Sequence, residues 1–173
     1  CRLFASVAME GDLSLAVERT PEWAALYRIQ GDPHRTWVAE VEGQLEGLAT
    51  LIARPGWLEG ARQTVGYAGD LRLTPRVRGG FFLGRAFGPH LQEGFQALGC
   101  EVAYTAILSS NRAAIGALVA PSARFPGKPV YRPWRPYSIT NLHLTRRRRP
   151  RATGVEVRHA REEDLPAIAA LLA

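Results

Sequence analysis

Apolar and polar positions change period several times along the 173 residues, and the changes outline the elements. Residues 2–9 are apolar and read as the tail of a helix or an irregular lead-in. Asp12 to Glu18 alternates, which predicts a short strand. Thr20 and Pro21 give a helix start and Gly31 a stop, so a helix is expected over Pro21–Gln30, with Trp23, Leu26, Tyr27 and Gln30 on one face. Arg35–Val41 and Gln44–Ala53 read as strands around a tight Glu42-Gly43 turn, a β-hairpin. Arg54–Arg62, with Pro55, Gly56 and Gly60, predicts a loop.

The next stretch, Thr64–Arg85, organises the rest. It begins as a strand carrying Val65, Tyr67, Leu71 and Leu73, and Pro75 stops it. A basic turn with Arg76, Arg78, Gly79 and Gly80 follows. A helix is then expected over Gly79–Leu98, burying Phe82, Leu83, Ala86, Phe87, Leu91, Phe95 and Leu98. Gly88-Pro89 should bend or divide it, and Gly99 should cap it. Glu101–Leu108 is almost continuously apolar and predicts a strand in the sheet centre. Ser109 or Ser110 should cap a helix over Asn111–Val119. Prolines then dominate up to Pro136, with short strands expected at Lys128–Arg132 and Tyr137–Leu144. Gly154 opens a new unit, strand Val155–His159 followed by a helix from Glu162. This order predicts an α/β fold, a mixed sheet with helices on its faces.

Composition narrows the function. A hydrophobic content of 46% suffices for a core. The net charge of +6 owes most to the arginines at 146–149 and 151, without which the rest is close to neutral. No aromatic residues interleave with that run, so it reads as a solvated linker, and no nucleic-acid partner is expected. Two cysteines, Cys1 and Cys100, make neither a disulfide framework nor a metal site, and fit a reducing, cytoplasmic setting. The four histidines have no zinc spacing, and no membrane span or signal peptide is visible. A Cys at the start, a single Met9 and an ending inside a helix pattern suggest a fragment. Strand, glycine turn and helix together make a seat for a phosphate, because free amides at a helix start face an anion.

Three stretches give this seat a context. Gly69-Asp70-Leu71-Arg72-Leu73-Thr74-Pro75-Arg76-Val77-Arg78-Gly79 looks like a central strand and turn of the form L-x-V-x-P-x-x-R-G. Asn111 to Leu118 is similar to N-x-x-A-x-x-x-L. Val155 to Ile168 looks like the opening I-R-x-A-x-x-x-D-x-x-x-I. In this order they resemble the GCN5-related N-acetyltransferase superfamily. The resemblance implies a mostly antiparallel, acyl-CoA N-acyltransferase-like sheet, flanked by helices and splayed after the central strand. It also implies an acetyltransferase-like domain over 1–145, a basic linker over 146–153, and the start of a second such domain over 154–173. Alternatively, Val155–His159 folds back to fill an edge of the first sheet.

By the same resemblance, acetyl-CoA is the co-substrate. Its pantetheine arm would pair with Leu71, Arg72 and Leu73, and its pyrophosphate would lie on the amides of Arg78 to Gly84, including Gly79, Gly80 and Phe81. Asn111 would join the site. Of Arg76 and Arg78, one is expected beside a phosphate. The reaction implied is direct attack of a primary amine on the thioester, with Asp70 as base (Glu40 or Glu101 behind it), an amide near Leu73 as oxyanion donor, and Tyr131 as acid, ahead of Ser109 or Ser110. Cys100 reads as a small buried residue. Where the family writes glycines, Phe81 and Leu83 stand. That departure, with no tyrosine over Leu118–Arg124, supports the alternative: a degenerate scaffold or acyl-CoA-sensing module. The acceptor would be a small-molecule or peptide amine, and a second domain of the same kind the intramolecular partner.

Overall fold

A computed structural model describes residues 3, 7, 19, 21–78, 82–123, 126, 128, 130–139, 154 and 156–172. They belong to two compact units, Cys1–Trp134 and Arg135–Ala173. In the first, four strands lie in the order β1 (His34–Val41), β2 (Gln44–Leu58), β3 (Ala61–Leu73) and β4 (Val102–Tyr104). The first two pairings are antiparallel and the third is parallel, so the sheet is mixed and mostly antiparallel, as expected.

Both hairpins turn on a Glu-Gly pair with positive φ at both residues: 53° and 75° at Glu42 and Gly43, 53° and 78° at Glu59 and Gly60. That backbone twist matches the right-handed twist of the flanking strands. The second hairpin corrects the loop expected over Arg54–Arg62. Pro55 and Gly56 read as breakers, but past Ile52 β2 has no ladder to β1, and an edge tolerates a proline.

β2 is the centre of the core. Ala49, Leu51 and Ala53 face a helical layer made by a π-turn at Phe82–Phe87 and by α2 (Gly88–Leu98), which bring Leu83, Phe87, Leu91 and Leu98 against them. The expected division of this helix falls at Gly88-Pro89, where wide π winding gives way to α winding. Gly99, with φ 64°, closes it. Its N–H and that of Cys100 bond back to Gln96 and Phe95, satisfying carbonyls the helix leaves open. A Cβ on Gly94 would stand 2.5 Å from Cη2 of Trp37 on β1, so helix and sheet meet there in direct contact. In Gly94→Ala, helix propensity gains about 1 kcal/mol and crowding costs about 1–3 kcal/mol. The Trp37 ring is rigid, so crowding wins, and the urea midpoint is expected to fall.

On the opposite face lies α1 (Ala25–Gln30). It is shorter than expected, beginning after Ala24 and not at Pro21, and Gly31 ends it with an N–H on the Tyr27 carbonyl at 2.9 Å. Tyr27 and Ile52 are each 1% exposed where helix meets sheet.

Three further expectations are corrected. The strand expected over Glu101–Leu108 is limited to Val102–Tyr104, and it edges the described sheet, with Val102 and Tyr104 exposed. Its apolar run is shared between a short parallel pairing and the approach to the next helix. The cap of that helix, α3 (Arg112–Val119), is Asn111 and not a serine: its Oδ1 accepts from the Ala114 N–H at 3.0 Å. Among the described residues of Lys128–Arg132 and Tyr137–Leu144, none is in a strand. Lys128 instead donates its ammonium to the Ala117 carbonyl and, at 2.6 Å, to that of Ala120, a cation on the negative end of α3.

In the second unit a 3₁₀ turn, Glu162–Asp164, leads into α4 (Leu165–Leu172), the helix expected from Glu162. Arg158 grips Asp164 at 2.7 and 2.8 Å, and the Asp164 carboxylate also accepts the Arg161 N–H at 2.8 Å. Glu156–His159 is not a strand, since it pairs with no described neighbour. The strand expected over Asp12–Glu18 and the arginine run at 146–151 lie outside the described residues.

Candidate functional site

β3 and β4 pair only through Val65–Val102, Gly66–Ala103 and Tyr67–Tyr104. At the last pair the two rings lie 5.2 Å apart, and the Arg54 guanidinium sits over both, at 5.2 and 5.0 Å. This clamp marks the point where the strands part. β3 runs on to Leu73 with no further β4 partner, so the sheet is splayed after its central strand.

A bulge then decides which side chains of β3 face the helical layer. Between the pairs Thr50–Gly69 and Leu48–Arg72, β3 carries one residue more than β2. Such a one-residue slip exchanges the two faces of a strand. Before the bulge Ala68 faces the helical layer; after it, Leu71 and Leu73 do. Unbroken alternation would have put Asp70 and Arg72 there. Asp70 takes the strain of the bulge with φ 54°, a left-handed conformation that Asp tolerates better than most residues.

A cavity of about 360 Å³ fills the splay. Leu71, Arg72 and Leu73 form one wall, and Ser110 to Ala114, at the start of α3, form the other. Leu83, Ala117 and Leu118 supply an apolar floor, with Arg78 at the strand end. Arg78 donates to the Leu73 carbonyl at 3.4 Å, which aims its guanidinium along this wall. Arg76 turns elsewhere, to Glu42 at 2.5 Å and Glu46 at 3.4 Å. Glu46 also receives the Thr74 hydroxyl, and the Glu46 carbonyl receives the Thr74 N–H at 2.9 Å, tying the end of β3 to the first hairpin.

Five of the residues expected at a cofactor, Leu71, Arg72, Leu73, Arg78 and Asn111, therefore meet in one cavity. Arg76 does not line it, Gly84 falls within the π-turn, and Gly79, Gly80 and Phe81 lie outside the described residues. Tyr131 stands behind α3, its N–H on the Leu118 carbonyl at 3.0 Å. Burial raises the pKa of its hydroxyl.

Asp70 belongs to a different group of side chains, on the face of β3 turned to α1. Its Oδ2 accepts from Arg19 at 2.6 Å and from the Tyr27 hydroxyl at 2.7 Å. Thr50 donates to the Tyr27 oxygen at 3.2 Å, and Thr36 lies 3.0 Å from Thr50. Arg19 also covers the Tyr27 ring at 4.8 Å. Burial, above all, raises the Tyr27 pKa. Burial lowers that of Arg72, with the Asp70 charge working against it.

The sequence reading missed the floor residues and this group. The N-x-x-A-x-x-x-L spacing carried a signal for the floor, since Asn111, Ala114 and Leu118 share one helix face and line the cavity. For Arg19 and Tyr27, 51 and 43 positions from Asp70, no local pattern existed.

No family model and no curated protein matches the chain. Among solved structures it is similar to a proposed acetyltransferase from Agrobacterium tumefaciens str. C58, with 18% identity, a TM-score of 0.50, and coverage of 70% of this chain and 80% of that one. The fold is that of the GCN5-related N-acetyltransferases. An acetyltransferase from Trypanosoma brucei shares 21% identity at a TM-score of 0.46, covering 69% of this chain and 75% of that one. An aminoglycoside N-acetyltransferase in complex with CoA shares 17% at 0.41. That likeness covers 50% of this chain and 64% of that one. Among the described residues, no helix is long and apolar enough to cross a membrane.

Proposed function

We propose that the first unit is an acetyl-CoA-dependent N-acetyltransferase acting on a primary amine of a small molecule or peptide. The observation that carries this reading is the splay itself: a strand edge at Leu71–Leu73, open beyond the β4 pairing, faces a capped helix start across a cavity. The residues present fit such a ligand. A strand edge that no described strand pairs can take an amide-bearing arm, as a peptide adds to a sheet edge. Arg78, with Arg112 in the first turn of α3, supplies cations for phosphate. The volume lies within the range of small-molecule sites, roughly 300–1,000 Å³. When bound, acetyl-CoA supplies an activated acetyl thioester.

The chain's own groups do the rest. A backbone N–H near Leu73 would serve a bound thioester as oxyanion donor. Tyr131, the acid that the family resemblance suggests, lies beside the Leu118 end of α3 and does not line the cavity, so it would have to approach for proton transfer to the leaving thiolate. As base, Asp70 is poorly placed, since Arg19 and Tyr27 hold it on the α1 face of β3 and it does not line the cavity; proton loss through water needs no such group. That engagement of Asp70 favours the second reading, a catalytically degenerate module that still binds acyl-CoA. Assay of free CoA release against a panel of primary amines separates the two: amine-dependent release is expected, and binding without release from any amine would leave only the second. Arg78→Ala is expected to weaken acetyl-CoA binding about tenfold. Arg76→Ala, whose arginine serves Glu42 and Glu46, should leave affinity unchanged. A cytoplasmic location, the start of a second domain of the same kind over 154–173 and a basic linker at 146–153 belong to this proposal.

A further inference from the structure

We propose that Tyr27 and Arg19 are positioning residues for the cofactor strand, acting through Asp70. This rests on the acetyl-CoA reading of the splay. The apolar side of the cavity wall depends on a single extra residue in β3, because the bulge turns Leu71 and Leu73 to the helical layer. A bulge held only by its own backbone can slip, since the unslipped ladder regains regular hydrogen bonding. Here the residue with positive φ is fixed from outside. Asp70 accepts two short hydrogen bonds, one from an arginine whose side chain is 6% exposed, the other from a tyrosine 1% exposed. Tyr27 is fixed in turn by Thr50 on β2, the strand against which the bulge is counted.

A slip would carry the Asp70 charge toward the apolar layer and break both bonds, so the side-chain group opposes it from the opposite face of the sheet. The work therefore divides: Asp70, Arg19 and Tyr27 set the register, while the strand edge at Leu71–Leu73 meets the ligand.

Calorimetric titration with acetyl-CoA, beside thermal unfolding, tests this in wild type, Tyr27→Phe and Arg19→Lys. Wild type is expected to bind. Tyr27→Phe keeps the ring and loses the hydroxyl; the folded protein should bind about tenfold more weakly, the worth of one hydrogen bond to a buried charge. Arg19→Lys keeps the charge and changes its geometry, and should weaken binding about two- to threefold. In turnover the loss should appear in KM for acetyl-CoA with kcat little changed, whereas a merely structural role would lower the melting temperature and leave the affinity of the folded molecules alone. Should Tyr27→Phe not fold, Arg19→Lys carries the test. Wild-type affinity in the folded variants would overturn the positioning role while leaving the acetyl-CoA reading intact. Absence of wild-type binding would overturn both.

Discussion

Asp70→Ala is expected to lower the unfolding free energy of the first unit by about 3–5 kcal/mol, the cost of removing one partner from a buried ion pair. Its carboxylate answers Arg19 directly and lies close enough to Arg72 to offset part of that arginine's burial. Without it the Arg19 guanidinium loses its ion pair inside the fold, and Arg72 loses a favourable neighbouring charge. The side chain also sits at φ 54°, where alanine pays a further penalty of about 1 kcal/mol. Asp70→Asn tolerates that φ and can still accept from Tyr27, so it should fall between wild type and Asp70→Ala. Urea unfolding of the three proteins checks the order; an Asp70→Ala midpoint equal to that of wild type would remove the anchor.

Ala113→Trp is expected to abolish ligand binding without unfolding the protein. Ala113 lines the cavity from the start of α3, and it is exposed, so a large ring there projects into the splay instead of overpacking the core. The loss in acetyl-CoA affinity should be at least about a hundredfold, or ~2.7 kcal/mol. Circular dichroism should show the folded sheet retained. A tryptophan at 113 that leaves acetyl-CoA affinity unchanged would move the ligand out of the splay.

Much of this fold was legible because its signals are local. Glu42-Gly43 announces a hairpin, Gly88-Pro89 a division of the helix, and Gly99 its end. The misses are places where a neighbour decided. Pro55 and Gly56 lie within β2 because that end of the strand has only one partner, which no residue within the strand encodes. The apolar run after Glu101 resembles a central strand, yet only three of its residues pair, because β4 departs from β3 to open the splay. In the site, the motif letters Leu71, Leu73, Asn111, Ala114 and Leu118 fall together, since ladder and helix periods place them. The bulge that reverses the faces at Asp70 is held by Arg19 and Tyr27, residues far away in sequence. Asp70 therefore read as a candidate base by its position on the strand, while its hydrogen bonds make it part of the frame.

The central claim is that the splay between β3 and β4 holds acetyl-CoA. Hydrogen exchange of the β3 amides, with and without acetyl-CoA at about 1 mM, enough to report even a binding energy of roughly 4 kcal/mol, tests it most directly. Slowed exchange at Leu71–Leu73 and in the first turn of α3, with the β1–β2 hairpin unchanged, is the predicted result. Exchange unaltered at those amides, or slowed only elsewhere on the chain, would contradict it.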